Sequence, residues 1–195
     1  MKHVTTGDTT YIALLRGINV GTHDYITMAD LKGVFVGLGF RNVKTYINSG
    51  NVIFVAAETD PRKIETLVED ALAKRVAQPV TVVARSLAEM DQIMRHVPSH
   101  WQTATDEKCN VIFLRYTIDS PDILANLDPK PEIEELHYHP GVLFWSAKTS
   151  SLTKSGMLKV NTMPIYKDMT VRVLRTTQKI YEIMQQTAAT EASAM

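Results

Sequence analysis

The sequence predicts an α+β protein. Two ferredoxin-like (βαββαβ) halves are expected to pack into one compact unit, with an extra C-terminal helix. Three observations predict it. Short β-branched runs alternate with amphipathic helical stretches; the helices carry recognisable caps; and the order β-α-β-β-α-β is read twice, once before and once after a helix near residue 90. The expected organisation is a subdomain over 1–85 and a linker helix and loop over 86–108. A second subdomain with the terminal helix follows over 109–187, then a disordered tail over 188–195.

The first strand is Tyr11–Leu15, leaving into the loop Arg16-Gly17-Ile18-Asn19-Val20-Gly21. Thr27 then reads as an N-cap with Asp30 three residues on. Met28, Leu31, Val34, Phe35 and Leu38 follow at helical spacing until Gly39. Two strands, Val43–Ile47 and Val52–Ala56, flank the turn Asn48-Ser49-Gly50-Asn51, whose residues tolerate positive φ. Asp60 and Pro61 open a second helix with Ile64, Leu67, Val68, Ala71 and Leu72 on its apolar face. Pro79 introduces a strand over Val80–Ala84. Ser86-Leu87-Ala88-Glu89 is a capping box, and Pro98 stops the helix it opens.

The second half begins with a strand from Cys109 to Tyr116, then a short helix opened by Ser120-Pro121. Strands Glu134–His139 and Val142–Ser146 are joined by Pro140-Gly141, a type II turn signal. A helix is expected from Leu152 to about Met163, a strand over Met169–Leu174, and a last helix capped by Thr176 or Thr177. Residues from Thr187 onward are small and aperiodic and read as a frayed tail. In the first half, both alternating residue sets of Tyr11–Leu15 and Asn51–Ala56 are apolar. A sheet with one wet face would alternate, so the far face is expected to be covered or to bind something.

Composition excludes several classes. The chain has 195 residues, 21.8 kDa, with 21 Lys+Arg against 21 Asp+Glu, 45% hydrophobic and 22% charged residues. Disordered, collagenous and disulfide-stapled chains do not look like this, and a general nucleic-acid binder would be strongly basic. No run approaches the roughly 20 apolar residues of a membrane span. A polar N-terminal stretch and a single cysteine, Cys109, lead to the expectation of a cytoplasmic protein.

Several stretches resemble the bacterial family known as domain of unknown function 1697. They are Tyr11 through Gly21, then Met28 and Leu31, Gly39-Phe40, and Thr45-Tyr46-Ile47-Asn48-Ser49-Gly50-Asn51-Val52-Ile53-Phe54. The family's C-terminal elements are reduced here to Thr153-Lys154-Ser155 and Arg172-Val173-Leu174-Arg175-Thr176-Thr177, without the usual asparagines and tryptophan. The resemblance implies a two-subdomain ferredoxin-like architecture and no assigned activity.

Charge distribution points to a site. Between Lys148 and Lys179 stand seven cations and one acid, whereas Asp119–Glu135 holds six acids and one lysine. Hydroxyls and Lys154 lie where a helix is expected to start, and a helix N-terminus suits an anion. Arg172 and Arg175 add guanidinium donors. The reading is an anion-binding protein with Lys154, Ser155, Arg172 and Arg175 as contacts and Arg16, Gly17 and Asn19 as a second region. Its partner would be a small phosphate-bearing molecule or nucleotide. The bland reading pairs these cations with the acidic stretch and gives the glycines to turns.

Alternatives are a self-association module, with a possible homodimer, and an enzyme of unknown class. No Walker A, nucleophile-elbow or zincin pattern is present. Catalytic residues, if the protein is an enzyme, are unassigned, and no cofactor or metal is expected. Glu135, His137 and His139 read as a polar sheet face, and Cys109 as a buried structural thiol.

Overall fold

A computed structural model describes residues 8–19 and 25–193. Gly21, at the far end of the first loop, lies outside the described residues. Among the described residues, eight strands form two four-stranded antiparallel sheets. The first uses β1 (Thr9–Arg16), β2 (Arg41–Tyr46), β3 (Asn51–Ala56) and β4 (Thr81–Ser86) in the order β2-β3-β1-β4. The second uses β5 (Glu107–Leu114), β6 (Glu134–His139), β7 (Val142–Lys148) and β8 (Met169–Val173) in the equivalent order β6-β7-β5-β8. Both are the ferredoxin-like arrangement, and the two βαββαβ halves with a C-terminal helix are as the sequence predicts.

In the first half, α1 (Met28–Gly37) starts where Thr27 Oγ1 accepts from the Asp30 N–H. The helix α2 (Pro61–Ala73) starts where Asp60 accepts from the Arg62 N–H. Leu31, Val34, Phe35, Ile64, Val68 and Leu72 bury against Tyr11, Ala13, Val52, Phe54 and Val82. The hairpin between β2 and β3 closes on the end of β1, where Gly50 O accepts from the Leu15 N–H at 2.7 Å. Gly50 has φ +68°, and a Cβ there would stand 2.7 Å from Ile18 Cγ2, so this position admits glycine alone for both reasons.

The outer strand β4 has no strand beyond it, yet its outward N–H groups are satisfied. Val82 donates to Glu69 Oε1 at 2.8 Å, Ala84 to Glu65 Oε1 at 3.0 Å, and Ser86 to Glu89 Oε2 at 2.8 Å. Glu65 and Glu69 are one helical turn apart on α2. Two carboxylates therefore cap the edge that would otherwise be open to another chain. The third, Glu89, belongs to the capping box that opens α3 (Leu87–Arg95), since Glu89 N also donates to Ser86 Oγ.

The second half departs from this plan between β7 and β8. The expected helix over 152–163 is instead a 3-10 turn over Thr149–Lys154, a four-residue α4 (Met157–Val160), and a second 3-10 turn over Pro164–Asp168. Pro164 and the buried Ser155-Gly156 corner break the run into pieces. The terminal helix α5 (Leu174–Ser193) begins directly after β8, ahead of the expected threonine cap, and reaches Ser193. The stretch read as a frayed tail is therefore helical as far as the description extends. Its buried stripe runs Thr177, Ile180, Met184, Thr187, and Thr187 hides its hydroxyl by donating to the Ile183 carbonyl at 2.8 Å.

Two compact units result. One holds the residues to Met90 and those from Lys179 onward, the other Asp91–Gln178. The sequence reading kept all of the last helix with the second half, but from Lys179 it clusters with the first, where Lys44 Nζ donates to Thr187 Oγ1 at 3.0 Å. Ile12, Leu14, Ile53 and Val83, on the side of the first sheet away from α1 and α2, are fully buried. That face offers no open platform to a ligand.

Replacing Glu65 with alanine strands a buried N–H on β4. We expect a loss of about 1–3 kcal/mol and, by amide hydrogen exchange, faster exchange at Ala84 than at its strand neighbours Val83 and Arg85.

Candidate functional site

The broken crossover of the second half is organised around one side chain. Glu134, at the start of β6, is 5% exposed. Its Oε1 accepts from the Lys130 N–H at 2.8 Å and the Gly156 N–H at 3.0 Å. Its Oε2 accepts from the Trp145 indole N–H at 3.0 Å and from the Ser155 hydroxyl. Burial works to raise the carboxyl's pKa, but the hydroxyl, two backbone N–H groups and the indole outweigh it and hold it below the ordinary glutamate range. Gly156 is obligatory here for steric reasons, because a Cβ would overlap the Asp128 carbonyl oxygen.

The anion that Ser155 faces is thus the chain's own. The predicted site residues are distributed as follows. Ser155 is buried against Glu134, while Lys154 is exposed and offers its carbonyl to Lys130 Nζ at 2.7 Å. Arg172 is buried on β8, with Nη1 donating to Thr170 Oγ1 at 2.8 Å and the Val171 carbonyl at 2.9 Å. Burial pulls its guanidinium down to about 10, still far above neutral. Arg16, Gly17 and Asn19 belong to the other unit.

Asn19, at φ +54°, fixes its own loop: Nδ2 donates to the Ile26 carbonyl and Oδ1 accepts from the Ile26 N–H, both at 2.9 Å. Gly17 takes φ +85° at the strand exit. The acidic stretch does meet part of the basic one, through Glu134 with Ser155 and through Lys159 with Asp128 at 3.6 Å. Glu135 pairs with His100 at 3.1 Å and His137 at 3.6 Å.

Arg175, of the predicted set, opens onto a sizeable cavity. In the first turn of α5, it lines a cleft of about 510 Å³ with Trp101, Gln102, Glu107, Lys108, Cys109 and Gln178. Lys108 and Arg175 are exposed and form no ion pair with a described residue. Trp101 is 3% exposed, and its indole N–H has no hydrogen-bond partner; neither has Glu107 Oε2, also buried. Cys109 is half-buried rather than buried. Desolvation, then Glu107 and Glu135, push its thiol up to about 11, so little of the reactive thiolate forms at neutral pH.

A second, smaller cavity of about 200 Å³ lies on the helix-side face of the same sheet, lined by Lys108, Asn110, Trp145, Val160, Tyr166 and Val171 among others. It exists because α4 is too short to cover the sheet as α2 does in the first half. No sequence signal marked Lys108, Trp101 or Asn110. Each stands in an ordinary strand or turn.

The family described as "Protein of unknown function (DUF1697)" matches residues 9–144, and the chain belongs to it. The match ends before the C-terminal elements that carry Lys154, Arg172 and Arg175. A solved structure titled as the conserved bacterial protein SP0830 from Streptococcus pneumoniae is similar. It is 26% identical, covers 91% of this chain and 99% of its own, and has a TM-score of 0.81. No curated protein matches. No described helix is long and apolar enough to cross a membrane.

Two outcomes test this geometry. The Glu134 carboxyl has a lowered folded-state pKa. Its stabilising contribution is complete above the unfolded value of about 4.3 and is lost as pH falls through the folded value. Glu134→Gln should therefore be less stable than the parent at pH 7, and the gap should narrow on acidification below about 4.3, read by urea denaturation across pH. Cys109 should react slowly with a maleimide at pH 7.5, with the rate still rising with pH beyond 9, where an unperturbed thiol of about 8.5 levels off.

Proposed function

We propose that the protein binds a small phosphate-bearing ligand in the cleft at the start of α5, through Arg175 and Lys108. The observation that carries this reading is the coincidence of two exposed, unpaired cations with the first turn of a 20-residue helix. Free N–H groups at a helix N-terminus favour negative charge, and guanidinium and ammonium donors add charge-assisted bonds. The partnerless Trp101 indole N–H in the same wall is a further donor. This keeps the predicted ligand class but moves its centre from Lys154 and Ser155 to Arg175 and Lys108. We also infer a bacterial cytoplasmic setting, supported by the lone cysteine and the bacterial neighbour.

No reaction is assigned: the half-buried Cys109 thiol is poorly ionised, and the neighbouring Glu107 in the cleft raises its pKa further. A second reading, self-association, is favoured by Val173 and Leu158, which are large, apolar and exposed near the outer strand β8. Concentration-dependent light scattering supports it if mass rises, and a strict monomer removes it.

The primary test is calorimetric titration with ribose 5-phosphate at low and high salt. Binding should weaken with salt, and Arg175→Ala should weaken it about tenfold, as expected for one charge-assisted bond. Binding that neither salt nor Arg175→Ala nor Lys108→Ala alters would overturn the reading.

A further inference from the structure

The cleft at the start of α5 holds a side chain that a phosphate alone does not explain, and that side chain bears on what else the ligand carries; the inference rests on the reading just given. Glu107, on β5, is half-buried and lines the cleft with Lys108 and Arg175. Its Oε2 is buried and has no hydrogen-bond partner among the described residues. The carboxylate forms no ion pair with a described residue either. Lys108 is its neighbour in sequence, so along a strand the two side chains point to opposite faces. Lys148 stands directly opposite on β7 and is exposed, yet it too leaves Glu107 unpaired.

An ionised carboxylate accepts hydrogen bonds and cannot donate one. Buried without a donor, its oxygen bears the full cost of its lost water, and such a group in a native structure calls for an explanation. Glu107 also repels any phosphate drawn to Lys108 and Arg175. The same carboxylate becomes favourable when the ligand brings a positive donor of its own. The charges then match. Lys108, Arg175 and Glu107 are the charged residues of the lining and together carry one net positive charge, while a phosphomonoester of about −2 that bears one ammonium carries about one negative charge. Two carboxylates act on the neighbouring Cys109 thiol, Glu107 and Glu135. Glu135 is engaged by His100 and His137, which leaves Glu107 to meet a ligand.

We infer that the ligand is an amine-bearing phosphomonoester. Its phosphate meets Lys108 and Arg175, and its protonated amine donates to the Glu107 carboxylate. Glu107 is then a specificity-determining residue: it accepts the amine and disfavours phosphates that lack one.

Two probes that differ in a single group test this. One is O-phosphoethanolamine; the other is 2-hydroxyethyl phosphate, which ends in a hydroxyl where the first ends in an amine. Each is titrated calorimetrically into the parent and into Glu107→Gln at neutral pH. The parent should bind O-phosphoethanolamine about tenfold more tightly, as expected for one charge-assisted bond. Glu107→Gln keeps the side chain's shape and removes its charge. Its affinity for O-phosphoethanolamine should fall by about the same factor, while its affinity for 2-hydroxyethyl phosphate should hold or rise. A merely structural role would move both affinities in one direction. The variant should melt close to the parent, because the carboxylate has no hydrogen bond to lose.

Equal affinity of the parent for the two probes, or a preference that survives in the folded variant, overturns the proposal and leaves the phosphate reading intact. Binding of O-phosphoethanolamine without binding of 2-hydroxyethyl phosphate supports it. If neither binds, the amine proposal fails, and ribose 5-phosphate, titrated alongside, decides the phosphate reading by itself. The comparison in the parent decides the matter even if the variant does not fold.

Discussion

The second half of this protein depends on a buried carboxylate with four hydrogen bonds. Glu134 ties together the chain before β6, through the Lys130 N–H; a central strand, through the Trp145 indole; and the crossover to β8, through Ser155 and Gly156. Each of those donors would be costly to bury alone. Together they make an ionised side chain tolerable in the interior and leave it little freedom to move. The same contacts fix the Ser155-Gly156 corner, from which α4 departs and then stops after a single turn. Leu158 on that short helix and the β8 residues Val171 and Val173 stay exposed.

The two halves show how one topology yields a closed unit and an open one. In the first, α2 lies along the sheet and two of its glutamates accept the N–H groups of the outer strand β4. The edge is finished and the face beneath is packed. In the second, the equivalent crossover is bent by Glu134 at the start of β6, which accepts from Ser155 and Gly156, and Val171 and Val173 on the outer strand are exposed. Glutamates finish a strand edge in one half and bend the crossover in the other. The cleft proposed as the binding site accordingly lies in the half whose crossover helix is incomplete.

Much of this fold was legible in the sequence. Thr27, Asp60 and the Ser86–Glu89 box cap helices as their spacing implies, and the apolar strands set the sheet order through the βαββαβ pattern. The misread parts share a physical cause. The stretch 152–163 has helical spacing, but Glu134, distant in sequence, captures Ser155 and Gly156 and bends the chain. The tail from Thr187 lacks apolar periodicity, but threonine can bury by bonding its hydroxyl to the preceding turn. Charge counting grouped Arg175, which lines the cleft, with Lys154 and Arg172, one exposed and the other buried on β8. A run of cations in sequence does not say which of them share a concavity.

The indole N–H resonances test this account most directly, because the chain has two tryptophans in opposite states. In the parent, the Trp145 indole proton should exchange slowly with solvent. Its shift should follow the ionisation of one carboxyl with an apparent pKa below the usual glutamate range, and Glu134→Gln should erase that titration. A Trp145 indole that titrates with an ordinary carboxylate midpoint, or that is indifferent to Glu134→Gln, would contradict the central role given to this side chain.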